Sequence, residues 1–376
     1  MVLPKRSDVD LGTETGATFP YVTRGSGPRV IAPVQEVGRE HLKNTAALSN
    51  ACMPGYVLSA NPGLIWDARY SDFDAQSQRL VGHDQSYVQL SPGTFEGRFL
   101  SCTLGPDIAI HIEHCNQALE QQLSGHSTAL SIGVAIQGRQ SFLANGEGLS
   151  PDDILFIPPG SDLHLLSPVN GAVLAITVQD SCLASYADLS DPLRTYLHET
   201  PEVRILRNPQ LARRIREDVV QAIEGCNRVD CSQQEAARIG HALLTGLFAK
   251  LSIDLCALPG GDHGQIRQSY DRFMACRDTI LRGWEQVHDL DALTDQTGIK
   301  RRSLQQAFTS HVSAGPLTYH RIIRLHLVRR ALLDETFQSD SIGDIAARFG
   351  FWNWSQFTQH YRSHFGEVPS QTRAVN

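Results

Sequence analysis

Between Asp289 and Ser370 the chain writes one pattern twice. The first copy reads Asp289-Leu-Asp-Ala-Leu-Thr-Asp-Gln-Thr-Gly298, and a polar helical stretch follows from Ile299 and Lys300 to His311. The second reads Ser341-Ile-Gly-Asp-Ile-Ala-Ala-Arg-Phe-Gly350 and continues from Phe351 to His364. A helix, a tight turn with Gly and a second helix at a steep angle form a helix-turn-helix unit. In such units the second helix can lie in the major groove of DNA, with its first residues at base edges.

The copies align position by position. Gly298 and Gly350 are the expected turn glycines, each ending a helix in the left-handed conformation that reverses the chain. Leu293 and Ile345 stand at the same place before them, and Ile299 and Phe351 just after. Thr294 and Ala346 are small where the two helices should cross. Leu304 and Phe308 match Phe357 and Tyr361, four apart on the expected buried face of each second helix. Between the copies, Pro316 to Asp334 reads as a helical connector that begins on Pro. Its apolar residues, Tyr319, Ile322, Ile323, Leu325, Leu327, Val328, Leu332 and Leu333, are too many for one stripe. The connector is therefore expected to pack against both units. At ~1.5 Å per residue it spans roughly 28 Å, close to the ~34 Å between successive major-groove faces on one side of B-DNA.

This stretch resembles the DNA-binding domain of the AraC/XylS family of bacterial transcription regulators. The resemblance is carried by Ile342-Gly-Asp-Ile-Ala-Ala-Arg-Phe-Gly-Phe, by Ser355-Gln-Phe and by Tyr361-Arg-Ser-His-Phe-Gly-Glu-Val-Pro-Ser370, and it covers about the last hundred residues. In the first recognition helix the expected DNA-facing positions are Arg301, Arg302, Ser303, Gln305 and Gln306. The resemblance implies that Arg302, Gln305 and Gln306 reach base edges and that Arg301 meets phosphate. Arg can bond guanine bidentately and Gln adenine. Lys300 stands where the family often has a Ser-type cap. In the second unit Asn353 is the expected N-cap, followed by Trp354, Ser355, Gln356, Thr358 and Gln359; these six are the expected DNA-binding residues of this unit, and the resemblance places Trp354, Ser355, Gln356 and Gln359 towards DNA. Trp352 and Trp354 either meet sugar or a thymine methyl, or pack against the domain body. His360 and Arg362 are phosphate or surface groups. The alternative for the side chains of the first recognition helix is a solvated polar face.

Upstream the pattern changes. From about Ser86 to Val178 short alternating or apolar runs recur between Gly, Pro and Asn: Tyr87 to Leu90, Gly97 to Leu104, Ile108 to Glu113, Ala129 to Ala135, Gln140 to Leu143, Ile154 to Ile157 and Ala172 to Val178. Regular strands with turn signals predict a sandwich or small barrel. The segment Leu149-Ser-Pro-Asp-Asp-Ile-Leu-Phe-Ile-Pro-Pro-Gly resembles the strand and turn of cupin-like jelly rolls, AraC-type sensor domains included. The expected fold class is therefore α+β: a β-rich cupin-like sensor domain with a helical extension, then an all-α domain with two helix-turn-helix units. The expected divisions are an irregular arm over 1–44, the sensor over 45–180, a helical segment over 181–256, a linker over 257–265 and the DNA-binding domain over 266–376. Asp72 to Leu80 is one helix candidate. In the helical segment, Ile215, Val219, Ala222 and Ile223, and then Ile239, Leu243, Leu247 and Leu251, form apolar faces that cap the barrel or build a homodimer. Tyr270, Phe273, Ile280 and Trp284 are expected to brace the first unit.

Other chemistry is weakly supported. His111 and Glu113 fall on one face of a strand and His114 on the other, with His164 far along the chain, so no metal-ligand set of imidazoles is defined. No nucleophile with its base is defined by spacing either, so no catalytic residue and no cofactor is expected. Eight cysteines are scattered without zinc spacing, and only Cys226 and Cys231 are near enough in sequence to suggest a redox pair. The net charge of −7 is uneven: from Ile266 onward 14 Lys and Arg face 11 Asp and Glu, so the basic balance falls on the repeated units. No apolar run has the ~20 residues of a membrane span, and no apolar segment follows Lys5 and Arg6 as a signal peptide would require. The expectation is a cytoplasmic transcription regulator, an activator by resemblance, that binds an operator in double-stranded DNA. RNA polymerase, a small-molecule effector and a second copy of the chain are its implied partners. The alternatives are a cupin-type metalloenzyme with a DNA-binding tail and a ligand-independent dimeric regulator. The residues that would hold an effector are not defined by the sequence.

Overall fold

The computed structural model describes residues 64–374, apart from 81–83, 125–127, 138–140, 187–190, 192, 194, 196–201, 229, 256–263 and 288. The expected N-terminal arm, most of the linker, and Cys52 and Cys256 lie outside the described residues.

Among the described residues twelve strands build two antiparallel sheets. They are β1 (Ile65–Tyr70), β2 (Asp84–Gln89), β3 (Gly97–Thr103), β4 (Ile108–Cys115), β5 (Leu119–Ser124), β6 (Ala129–Gln137), β7 (Phe142–Ala144), β8 (Glu147–Leu149), β9 (Asp153–Ile157), β10 (Leu163–Ser167), β11 (Gly171–Gln179) and β12 (Arg204–Arg207). One sheet has the order β1-β3-β4-β11-β6-β9-β12 and the other β2-β5-β10-β7-β8. Each strand run expected from the sequence is present. β12 stands inside the stretch read as helical, where Ile205 pairs with Leu155 of β9. The described helices are α1 (Phe73–Ser77), α2 (Asp180–Leu183), α3 (Pro209–Cys226), α4 (Gln233–Leu255), α5 (Gly264–Gly283), α6 (Leu290–Thr297), α7 (Arg301–Val312), α8 (Pro316–Leu333), α9 (Ile342–Arg348), α10 (Trp354–Phe365) and α11 (Pro369–Arg373).

Strand alternation divides the seven-stranded sheet into two apolar faces. Ile132, Val134, Ile154 and Phe156 point to α3 and α4, whose Ile215, Val219, Leu244 and Phe248 close a common core. Ala135, Leu155 and Ile157 point the other way, to Leu123, Phe142, Leu163 and Leu165 of the five-stranded sheet. The apolar faces of α3 and α4 are thus covered by the sheet. Cys226, at the end of α3, is buried, as are Cys102 and Cys231, and the six described cysteines are free thiols.

The five-stranded sheet is covered in turn by the C-terminal helices. Leu325, Val328 and Leu332 of α8 join Tyr87, Phe95 and Leu119 in one core with Ile345, Phe357 and Tyr361. Leu166 of β10 joins Phe273, Leu293, Leu304 and Phe308 in another. Buried charge reinforces this contact. Glu120 of β5 is 1% exposed and accepts from Arg277 Nε of α5, from Tyr319 OH of α8 at 2.7 Å and from His164 Nε2 at 3.0 Å. Arg329 donates to Asp72 at 2.7 Å, and Arg330 donates to Asp74 at 2.9 Å. The connector therefore packs against both units, as its composition requires, and against a sheet as well.

Candidate nucleic-acid interface

Each unit is fixed from inside by a few apolar contacts. Leu293, Leu304 and Phe308 are fully buried in the first, and Ile345, Phe357 and Tyr361 in the second. Phe273 of α5 packs edge-on to Phe308 with ring centres 5.1 Å apart, so α5 braces the first unit. The turns use the two glycines: Gly298 has φ 68° and Gly350 φ 78°, a region that side chains with a Cβ seldom enter.

The helix starts are capped by the side chains their sequences offer. Asp289 accepts from Ala292 N at 2.8 Å, Ser341 from Asp344 N at 3.0 Å and Asn353 from Gln356 N at 3.0 Å. Lys300 opens α7 without any side-chain cap. Its first amides are left for water or an anion, and Lys300 adds positive charge there. We expect Ser341→Ala to lower stability by about 1 kcal/mol, read as a lower unfolding midpoint in urea. No change would mean that Asp344 alone secures the end of α9.

With the apolar faces turned inward, the polar faces are presented outward. Arg301, Arg302, Gln305 and Gln306 of α7 are exposed and Ser303 is half-buried. Arg301 donates to Asp291 at 2.9 Å, both groups being largely solvated, so that tether is weak and salt-sensitive. In α10, Trp354, Ser355, Gln356 and Gln359 are exposed, Asn353 is exposed at the cap and Thr358 is half-buried. The structure brings the expected residues onto two outward helix faces, one per unit, joined by α8. At 18 residues this helix is about 27 Å long.

Trp352 is 84% exposed and Trp354 50%. Trp354 leans on Phe357 with ring centres 5.7 Å apart, whereas Trp352 stands free of the domain body. Trp354, Ser355, Thr358, Gln359 and Arg362 line one open recess along α10. A second, smaller cleft on its other flank contains Trp352, Gln356 and His360 together with Arg321 and Arg324 of α8. The sequence reading assigned nothing to these two arginines. Their spacing of three places them on one helix face, but the sequence does not say which surroundings that face meets.

The other sequence candidates are dispersed. Glu113 accepts from Gln76 Nε2 at 2.9 Å and from Tyr87 OH, and burial pushes its carboxyl upward. His164 is held by Glu120. Among the described residues no three His, Cys, Asp or Glu are grouped to hold a metal ion. No described helix is long and apolar enough to cross a membrane.

Comparison with known proteins supports the same stretch. A family model described as a helix-turn-helix domain matches residues 293–374. The XylDLEGF operon transcriptional activator 2 of Pseudomonas putida is 34% identical over 87 residues, which are 23% of this chain and 55% of that protein. The XylDLEGF operon transcriptional activator of the same organism is 36% identical over 83 residues, 22% of this chain and 26% of its own length. The chain thus spans about half the length of the first of these relatives and about a quarter of the second. The crystal structure of the AraC-like transcriptional activator CuxR aligns over 70% of this chain and 94% of that one, at 16% identity and a TM-score of 0.37. The paired units, their capped and glycine-turned helices and these matches define a tandem helix-turn-helix DNA-binding domain. Over this stretch the chain is similar to the transcriptional activators of the XylDLEGF operon.

Proposed function

We propose that the chain is a sequence-specific transcription regulator that reads two adjacent major grooves and activates transcription in response to a small molecule. The observation that carries this reading is the pair of outward polar helix faces, each backed by a packed core and held apart by one helix of near-groove-repeat length. Arg302, Gln305 and Gln306 are the base-reading groups of the first face, and Ser355, Gln356 and Gln359 those of the second. Lys300 and Arg301 supply phosphate contacts, which set register and are salt-dependent. Asn353 holds the start of α10 in place, Trp354 offers an apolar contact to sugar or a thymine methyl, and Ser303 and Thr358 border the two faces.

The β-sandwich is the sensor in this reading. It touches both units through one sheet, so a ligand with different affinity for two arrangements of that sheet would shift how the units are presented. RNA polymerase and a second copy of the chain are further partners suggested by the family.

Selection of duplexes from a random-sequence library by the full-length chain, followed by binding measurements, tests the reading. A selected duplex is expected to bind at least ~10³-fold more tightly than random DNA. Gln305→Ala or Arg302→Ala should weaken that complex by ~1–3 kcal/mol while the thermal midpoint stays unchanged. Wild-type affinity in both variants would remove α7 from the interface.

A further inference from the structure

Three basic side chains converge between α8 and α10 with no acid among the cleft's lining residues. The cleft has a volume of about 220 Å³, and Arg321, Arg324, Trp352, Asn353, Gln356 and His360 form most of its wall. Farther along α8, Arg329 and Arg330 are paired with Asp72 and Asp74. Arg321 and Arg324 have no carboxylate partner among the described residues. Arg324 lies over the Phe351 ring at 4.7 Å and donates from Nη1 to Gly350 O at 3.2 Å, while its Nε is buried without a partner. Burial, and then the charges of Arg321 and Arg324, hold His360 below its ordinary value. Like charges gathered without a counter-charge are unfavourable in the isolated chain, and an anion placed among them reverses the sign.

We propose that this cleft seats a DNA backbone phosphate on the strand segment that passes between the two major grooves, with the neighbouring deoxyribose against Trp352. Two features select this occupant. The cleft lies beside α10 and opens from α8, so it flanks the path that a duplex spanning both recognition faces must take. The exposed indole supplies an apolar wall next to the cationic one, which suits a sugar–phosphate unit better than a free inorganic ion. α8 is then a DNA-contacting element as well as a spacer, and Arg321 is its principal phosphate ligand. The inference rests on the DNA-binding reading above.

The test is the salt dependence of binding by the full-length chain, measured on a selected duplex and on a random duplex of equal length. Arg321→Ala is expected to reduce the slope of log affinity against log salt by about 0.9, the value for one lost phosphate contact, on both duplexes. The ratio of affinities for the two duplexes should stay unchanged, and Arg321→Lys should restore the slope. Because Arg321 is half-buried, Arg321→Gln serves as a second charge-removing variant, and circular dichroism confirms that each is folded. An unchanged slope in a folded variant overturns the phosphate site. So does a rise in wild-type melting temperature with millimolar inorganic phosphate, lost in Arg321→Ala, together with unchanged slopes, since that marks a free-anion site. Absence of any duplex preference in the wild-type chain overturns the sequence-specific reading instead, and the slope on random DNA still decides the cleft.

Discussion

Glu120→Ala is expected to destabilise the folded chain by about 3–5 kcal/mol, the usual consequence of breaking a buried ion pair from one side. Burial alone would raise the Glu120 carboxyl, but Arg277, His164 and Tyr319 together hold it well below the ordinary carboxylate range. Burial likewise opposes the Arg277 charge, and the carboxylate restores it. Alanine would leave the Arg277 guanidinium, 8% exposed, with only the partly solvated Asp278 carboxylate at 3.2 Å, and Tyr319, fully buried, without its acceptor. The loss should fall on the contact between the five-stranded sheet and helices α5 and α8. Urea unfolding should therefore show a lower midpoint, and limited proteolysis should show earlier cleavage between sandwich and helices. The double change Glu120→Leu with Arg277→Met should recover much of the loss, because apolar replacement of a whole buried pair is often neutral. A single-variant cost below ~1 kcal/mol would place this cluster among surface pairs and deny it a role in joining the two parts.

The sequence disclosed the two units because their constraints are local. A cap, a glycine at positive φ and apolar residues four apart fall within twenty residues of each other, so periodicity shows them directly. The strands with apolar alternation were legible for the same reason. β5 was not, since Leu119-Glu-Gln-Gln-Leu-Ser124 has polar residues where a buried strand should be apolar. Glu120 and Gln121 are nonetheless 1% and 2% exposed, because their partners come from distant segments. β8 carried a readable signal, the Asn145-Gly146 pair, whose positive φ values of 47° and 82° form its two-residue hairpin turn. The exposed recognition residues were legible as the polar complement of a buried stripe. Arg321 and Arg324 were not, because on α8 the arginines alternate between two fates. Arg329 and Arg330 are paired with Asp72 and Asp74 at the start of α1, and nothing in their local sequence separates them from the two that face the cleft.

Acidification should loosen this same contact in a window above that of the carboxylates. His326 Nε2 and His364 Nε2 both donate to the carbonyl of Gln89, at 3.1 and 3.0 Å, and Gln89 Nε2 donates back to His364 O at 2.9 Å. Both rings are buried as neutral groups facing Arg321, Arg329 and Arg330, with Asp72 and Asp74 already engaged by the last two. Burial pushes His364 down to about 4, and burial with the neighbouring His364 pushes His326 well below its ordinary value. An unfolded histidine titrates near 6.5. Below that pH the unfolded chain therefore binds protons that the native chain cannot, and stability falls with pH. The contribution is complete above about pH 6.5 and is lost progressively as pH falls toward 4. For His364 alone a displacement of this size amounts to about 3 kcal/mol. His311, lowered by burial and by His164, adds to the same window. Glu120 adds its own loss only below the unfolded carboxylate value, about 4.3, so the two effects separate on the pH axis. Thermal midpoints measured from pH 7.5 to 4.5 should decline in the wild-type chain and decline less steeply in His364→Gln, whose amide can still donate to Gln89 but does not titrate. Equal slopes in the two proteins would mean that the native contact admits the proton without opening, and would remove this histidine pair as the acid-sensitive element of the interface.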